Sequence, residues 1–124
     1  WGKAVEEFIL NHDIHEEFIA HITGRYHLKD RHFIDMIEEN PDYDVFAKDD
    51  GHSQYITGCF AMRAKYFIDW IHQTDWNWLN STMTNLEKSV WNYSKNKNLK
   101  CYEFDSLHID CNIFGKGSPV RIQF

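Results

Sequence analysis

Residues 18–37 read FIAHITGRYHLKDRHFIDMI, and the change of character inside this stretch decides the fold. Phe18 to Ile22 is short, apolar and rich in β-branched residues, which predicts a strand buried on at least one face. The run halts at Thr23-Gly24-Arg25-Tyr26, and a charged turn follows at Lys29-Asp30-Arg31. Asp30 is then placed to cap a helix carrying Phe33, Ile34, Met36 and Ile37, which Asn40-Pro41 stops. A strand, a glycine-arginine turn and a helix in sequence predict an α/β unit. In open α/β sheets such a strand end faces a ligand crevice.

Outward from this unit, the two periodicities keep interleaving. KAVEEFILN (residues 3–11) sets Ala4, Val5, Phe8 and Ile9 on one helical face, opposite Glu6 and Glu7, and Asn11-His12-Asp13 breaks the pattern. Tyr43 to Ala47 reads as a strand, Asp49-Asp50-Gly51 as a turn, and Gln54 to Met62 as a second strand bent at Gly58. Arg63 to His72 presents Tyr66, Phe67, Trp70 and Ile71 at helical spacing. A loop with Trp76, Trp78 and Asn80 leads to a helix over Asn85 to Ser94, preceded by the capping signature Thr84-x-x-Glu87. Leu99 to Phe104 is a strand. The tail, SLHIDCNIFGKGSPVRIQF, is loop-like around Gly115-Lys116-Gly117 and closes in a short β pattern. No internal repeat or linker divides the chain, so residues 1–124 are expected to be one domain or a fragment of one, of α/β or α+β class, with a mixed sheet flanked by helices.

Composition sets bounds on function. A chain of 124 residues with 43% hydrophobic and 16% aromatic content can form a packed core. A formal charge of −6 argues against phosphate-driven binding of nucleic acid, which needs basic patches. No stretch approaches the ~20 apolar residues of a membrane span. Cys59, Cys101 and Cys111 are an odd number without framework spacing, and no signal peptide is legible; both point to a reducing, cytoplasmic compartment. Because Trp1-Gly2-Lys3 runs straight into a helical pattern, the chain is expected to be a piece of a longer protein.

Several motifs invite chemistry and have plainer explanations. The eight histidines are scattered, and neither Asp13-x-His15 nor His108-x-Asp110 has a partner at metal-site spacing. Asp42-x-Asp44 has the form of a carboxylate pair for a divalent metal, but it follows Asn40-Pro41 and opens a strand, as turn chemistry would. Gly115-x-Gly117 with Lys116 either sets amides and an ammonium beside a phosphate or makes a surface turn. His108, Asn112 and Lys116 fall together in a polar stretch that suits a loop closing over a ligand. Glu87 has two readings, the reciprocal partner of Thr84 in a capping box and a general base facing a sugar hydroxyl. Trp76 and Trp78 suit stacking on a sugar or covering the core.

Taken in order, GKAVEEFILNH, the strand ending His21-Ile22-Thr23-Gly24-Arg25-Tyr26, the segment Tyr55–Phe67 with a turn at Cys59-Phe60-Ala61-Met62-Arg63, and the helix with Leu86-Glu87 resemble bacterial and viral glycosyltransferases of the GT-A fold. In those enzymes "KITGRY" ends a central strand; His21 stands here in the usual lysine place. The resemblance covers nearly the whole chain and implies the C-terminal, acceptor-side half of a GT-A-like domain, whose N-terminal half binds the nucleotide. It implies transfer of a sugar from a nucleotide-sugar donor to a glycan acceptor, with inversion. Glu87 would be the base and Arg25 would stabilise the diphosphate leaving group. Thr23, Gly24, Tyr26, Trp76, Trp78, His108, Asn112 and Lys116 would bind substrate. Related enzymes carry a metal-binding Asp-x-Asp where Thr23-Gly24-Arg25 stands. Either arginine replaces the metal, or ligands for Mn or Mg lie in the N-terminal half. The alternative function is a non-catalytic module whose aromatic groove binds a carbohydrate or a protein; separately, the plainer reading of Arg25 and Tyr26 is that they pair and pack at a sheet edge.

Overall fold

The computed structural model describes the backbone of residues 2–82, 86–115 and 118–124. Within these, the side chains of 80, 82, 112–115 and 118–122 lie outside the description. The elements in chain order are α1 (Gly2–His12), β1 (Phe18–Ile22), β2 (Tyr26–Leu28), α2 (His32–Glu39), β3 (Val45–Ala47) and β4 (Cys59–Arg63). They continue as α3 (Ala64–Gln73), α4 (Trp76–Thr82), α5 (Leu86–Asn96), β5 (Cys101–Glu103), β6 (Ile109–Gly115) and β7 (Ser118–Gln123). The class is α/β with a mixed sheet. One four-stranded sheet has the order β1-β4-β3-β5, antiparallel except where β3 runs parallel to β5. A second, antiparallel sheet has the order β2-β6-β7.

Strand period explains how the larger sheet is covered on both sides. Alternate residues of a strand face opposite ways. Phe60 and Met62 of β4 therefore join Val45 and Ala47 of β3 on one face, where Phe67, Trp70 and Ile71 of α3 and Val90 and Tyr93 of α5 bury them. Cys59, Ala61 and Phe46 take the other face, against Phe33 of α2 and Phe104, Leu107 and Ile109. All of β3 and nearly all of β4 are buried, as unbroken apolar runs between two layers should be. Rings lock the first layer: Trp70 meets Phe67 edge-on at 5.5 Å and Phe60 at 6.3 Å. Each such side chain taken fully from water contributes roughly 1.5–3 kcal/mol.

Some expectations are corrected. The strand at β1 exists with its predicted bounds, but it is an edge strand rather than a central one, and none of its residues is fully buried. Residues 59–63 form the inner strand β4 rather than a turn, and the strand expected over 54–62 is confined to them; Gln54 to Gly58 is loop, with an isolated bridge between Asp49 and Tyr55. Trp76 to Thr82 is the short helix α4, not a loop. The tail holds a hairpin whose first strand spans Ile109–Gly115. In α1 the covered face runs through Gly2, Val5, Glu6 and Ile9, leaving Ala4 and Phe8 exposed; Phe8 stacks on His12 instead. The N-cap of α2 is Arg31, without a side-chain cap bond, rather than Asp30; the Asp30 carboxylate, one residue earlier, accepts from the His32 amide at 2.8 Å.

Asp42-x-Asp44 proves to be half of a clasp. Arg63, at the end of β4, donates to Asp44 at 3.2 Å and to the carbonyls of Glu16 (2.9 Å), Pro41 (2.7 Å) and Tyr43 (2.9 Å). Its guanidinium also lies 4.7 Å from the centroid of the Phe18 ring. The other Asp44 oxygen accepts from the Lys100 amide at 3.0 Å. One largely buried fork thus ties β1, the approach to β3, and β4 together.

Candidate functional site: the Thr23–Tyr26 turn and the start of α5

Where β1 ends, the chain continues its pairing for one more bond, Thr23 amide to Gly58 carbonyl at 2.9 Å. It then turns sharply, with the Tyr26 amide donating back to the Thr23 carbonyl at 3.0 Å. Gly24 sits at the turn tip. Its φ lies outside the left-handed region, and a Cβ built there would meet nothing within 4 Å. Neither backbone conformation nor crowding within the chain requires a glycine there; what glycine adds is an uncovered backbone that a ligand can approach. Arg25 is exposed beside it and makes no ion pair among the described residues. Thr23 Oγ1 is buried and has no hydrogen-bond partner among them.

Tyr26 turns inward. Its ring lies on the backbone of Gly58, where a Cβ would fall 1.9 Å from Cε2, and it stacks on Phe124 with centroids 5.6 Å apart. Burial, and then the neighbouring Cys111 thiol, push the Tyr26 phenol up to about 12. Two charges act on it in opposite senses: the Arg25 guanidinium favours the phenolate, and the Glu87 carboxylate disfavours it. Glu87 opens α5, half-buried, and its carbonyl accepts from the Tyr55 amide at 3.2 Å. The segment Tyr55–Gly58 is therefore the bridge. One end holds the start of α5 and the other holds the Thr23–Tyr26 turn, so the segment carrying Glu87 and the turn carrying Arg25 and Tyr26 are tied to one short loop.

The remaining candidates are distributed elsewhere. Trp76 packs edge-on against Trp70 at 5.7 Å, donates its indole N–H to the Ile71 carbonyl at 3.2 Å, and lines a cleft with Gly2, Lys3 and Glu6. Trp78, 53% exposed, lines a different cleft between α3, α4 and α5. Tyr26 lines neither, so the three rings do not share one groove. His108 is held in the left-handed region (φ 53°), bonded through Nδ1 to Asp30 at 2.9 Å and stacked on His32 at 4.1 Å. The register of β2 on β6 sets His108 at the Leu28 end and leaves Tyr26 at the other, opposite Cys111. Asn112 follows in β6, paired with Arg121. A strand rise of ~3.3 Å per residue strings these residues out rather than folding them into a closing loop. Lys116 and Thr84, and with Thr84 the capping box, lie outside the described residues.

Sequence reading missed Gly58, Cys111 and Phe124 as the walls around Tyr26. Gly58 carried a signal, since a glycine interrupting an apolar strand marks a bend or a close backbone approach. Only the bend was read. Among the described residues no group of three or more His, Cys, Asp or Glu is placed to hold a metal ion. Among them, too, no helix is long and apolar enough to cross a membrane. Comparison with known protein families, curated proteins and solved structures finds no match.

Proposed function

We infer that this chain is the acceptor-side part of a GT-A-like glycosyltransferase that moves a sugar from a nucleotide-sugar donor to a glycan hydroxyl, with inversion. The observation that carries this reading is that one short loop, Tyr55–Gly58, meets the Glu87 backbone at one end and the Tyr26 ring at the other, beside the uncovered backbone of Gly24. In the reaction, Glu87 takes the proton of the acceptor hydroxyl as its oxygen bonds to the anomeric carbon. The bond from that carbon to the diphosphate oxygen breaks, and the Arg25 fork meets the charge on the departing nucleoside diphosphate. Alignment of the two substrates and charge stabilisation are what this displacement mainly needs. A divalent metal, Mn or Mg, with ligands in the N-terminal half would fit the same reading.

The test uses the full gene product, incubated with a panel of nucleotide sugars and glycan acceptors while nucleotide release is followed. Glu87→Gln should lower turnover by ~100- to 10,000-fold while the melting temperature holds, because glutamine can still complete a helix cap. Unchanged turnover returns Glu87 to a capping role and removes the base from the mechanism. A second reading, a non-catalytic glycan-binding module, is favoured by the 53% exposure of Trp78 on a cleft apart from Tyr26. Saturable glycan binding with no nucleotide release from any donor would select it.

A further inference from the structure

We propose that the cleft between α3, α4 and α5 is a binding site for a neutral saccharide, separate from the Tyr26–Glu87 centre. Its volume is about 420 Å³, within the ~300–1,000 Å³ range of small-ligand sites. Trp70 and Leu79 give it an apolar floor, and Trp78 offers an exposed indole at its rim. The Asp75 carboxylate accepts from the Trp78 amide at 2.9 Å, which fixes the backbone that carries that indole. Fixing an aromatic before the ligand arrives lowers the cost of binding.

The polar groups of the cleft select the ligand. Gln73 and Tyr93 also line it, but both are committed to Asp69, at 3.1 Å and 2.7 Å. Ser89 Oγ accepts from the Trp70 indole at 3.1 Å, which leaves its own hydroxyl hydrogen to donate elsewhere. Asn92, exposed on α5, makes no hydrogen bond among the described residues. Lys88 lies on the same wall, with Asp75 across from it, so the cleft is not strongly charged in either sense. Donors spaced along one helix beside an indole face match a pyranose, which has a C–H face to stack and hydroxyl oxygens to accept. A hydrophobic peptide would leave the Asn92 and Ser89 donors without partners, at a desolvation cost. That the bound glycan is the acceptor chain rests on the transferase reading; that the cleft binds glycan does not.

The experiment is isothermal titration calorimetry of the full gene product with cellohexaose, maltohexaose and chitohexaose, without any nucleotide sugar. At least one hexasaccharide should bind saturably. Trp78→Ala should weaken it on the order of tenfold, Trp78→Phe should keep most of the affinity, and Asn92→Ala should weaken it roughly fivefold. Asn92 is exposed, so its variant serves if Trp78→Ala does not fold. Failure of all three sugars to bind, or binding that a folded Trp78→Ala or Asn92→Ala variant leaves unchanged, overturns the site. Glycan binding here without sugar transfer would refute only the transferase reading, and transfer without binding here would refute only this cleft.

Discussion

Gly58→Ala is the substitution that most directly tests the architecture of the candidate site. The new methyl would lie 1.9 Å from Tyr26 Cε2, 2.0 Å from Cζ and 2.5 Å from the phenol oxygen. Ordinary contact begins near 3.4 Å, so the ring must retreat by about 1.5 Å or leave. Its retreat is blocked by Phe124, stacked on it at 5.6 Å. Alanine carries no backbone penalty, because the φ of Gly58 lies outside the left-handed region. The whole cost is therefore the clash, about 1–3 kcal/mol, as overpacking usually is. For a domain of this size that lowers the melting temperature by roughly 4 °C per kcal/mol. The decisive assay is a double-mutant cycle by urea unfolding with Tyr26→Ala. Once the ring is gone, Gly58→Ala should cost almost nothing, giving a coupling of about 1–3 kcal/mol. Additivity within ~0.5 kcal/mol would mean that Tyr26 does not rest on Gly58, and the grouping of Arg25, Tyr26 and Glu87 would lose its support.

Arg25→Lys should leave unfolding unchanged within ~0.5 kcal/mol, as exposed positions without special contacts do, while sharply lowering turnover of the full gene product, because lysine lacks the planar fork. Normal turnover would make Arg25 dispensable to the chemistry. Arg63→Ala should cost about 3 kcal/mol, since it leaves the Asp44 carboxylate in its half-buried place without its counter-charge; a cost below about 1 kcal/mol in urea unfolding, the range of an exposed pair, would show that the clasp is ornamental. Alkaline pH should destabilise the fold. Burial raises the Tyr26 phenol from 10.0 to about 12 and moves Tyr55 and Tyr93 upward as well. Raised folded-state values favour the neutral phenols, so this stabilisation is complete below pH 10 and is lost as pH climbs from there through about 12. Phenolate absorbance of the native protein checks it: all six tyrosines titrating together near the ordinary value would refute the burial argument.

Local pattern was enough to place the strand FIAHI, the helix carrying Phe33 and Met36, the helix carrying Phe67, Trp70 and Ile71, and the turn at Asp49-Asp50-Gly51. Each depends on neighbours in sequence: apolar spacing, a stop at Asn-Pro, a residue tolerant of left-handed backbone. The α/β class with a mixed sheet follows from the interleaving of the two periods. The site is less legible. That Thr23-Gly24-Arg25-Tyr26 ends a strand could be read, but that β1 is an edge strand could not, because an apolar run does not say how many neighbours it will have. Asp42-x-Asp44 read as turn chemistry rather than as a ligand pair, but that Arg63, distant in sequence, holds Asp44 could not be read. Trp76 and Trp78 stood as one aromatic pair on paper; the turn of α4 directs them to separate clefts. Most of all, the start of α5 and the Thr23–Tyr26 turn lie near one another only because Tyr55 and Gly58 anchor both to the same loop. Contacts of that kind are set by packing between remote segments, and a one-dimensional pattern carries no record of them.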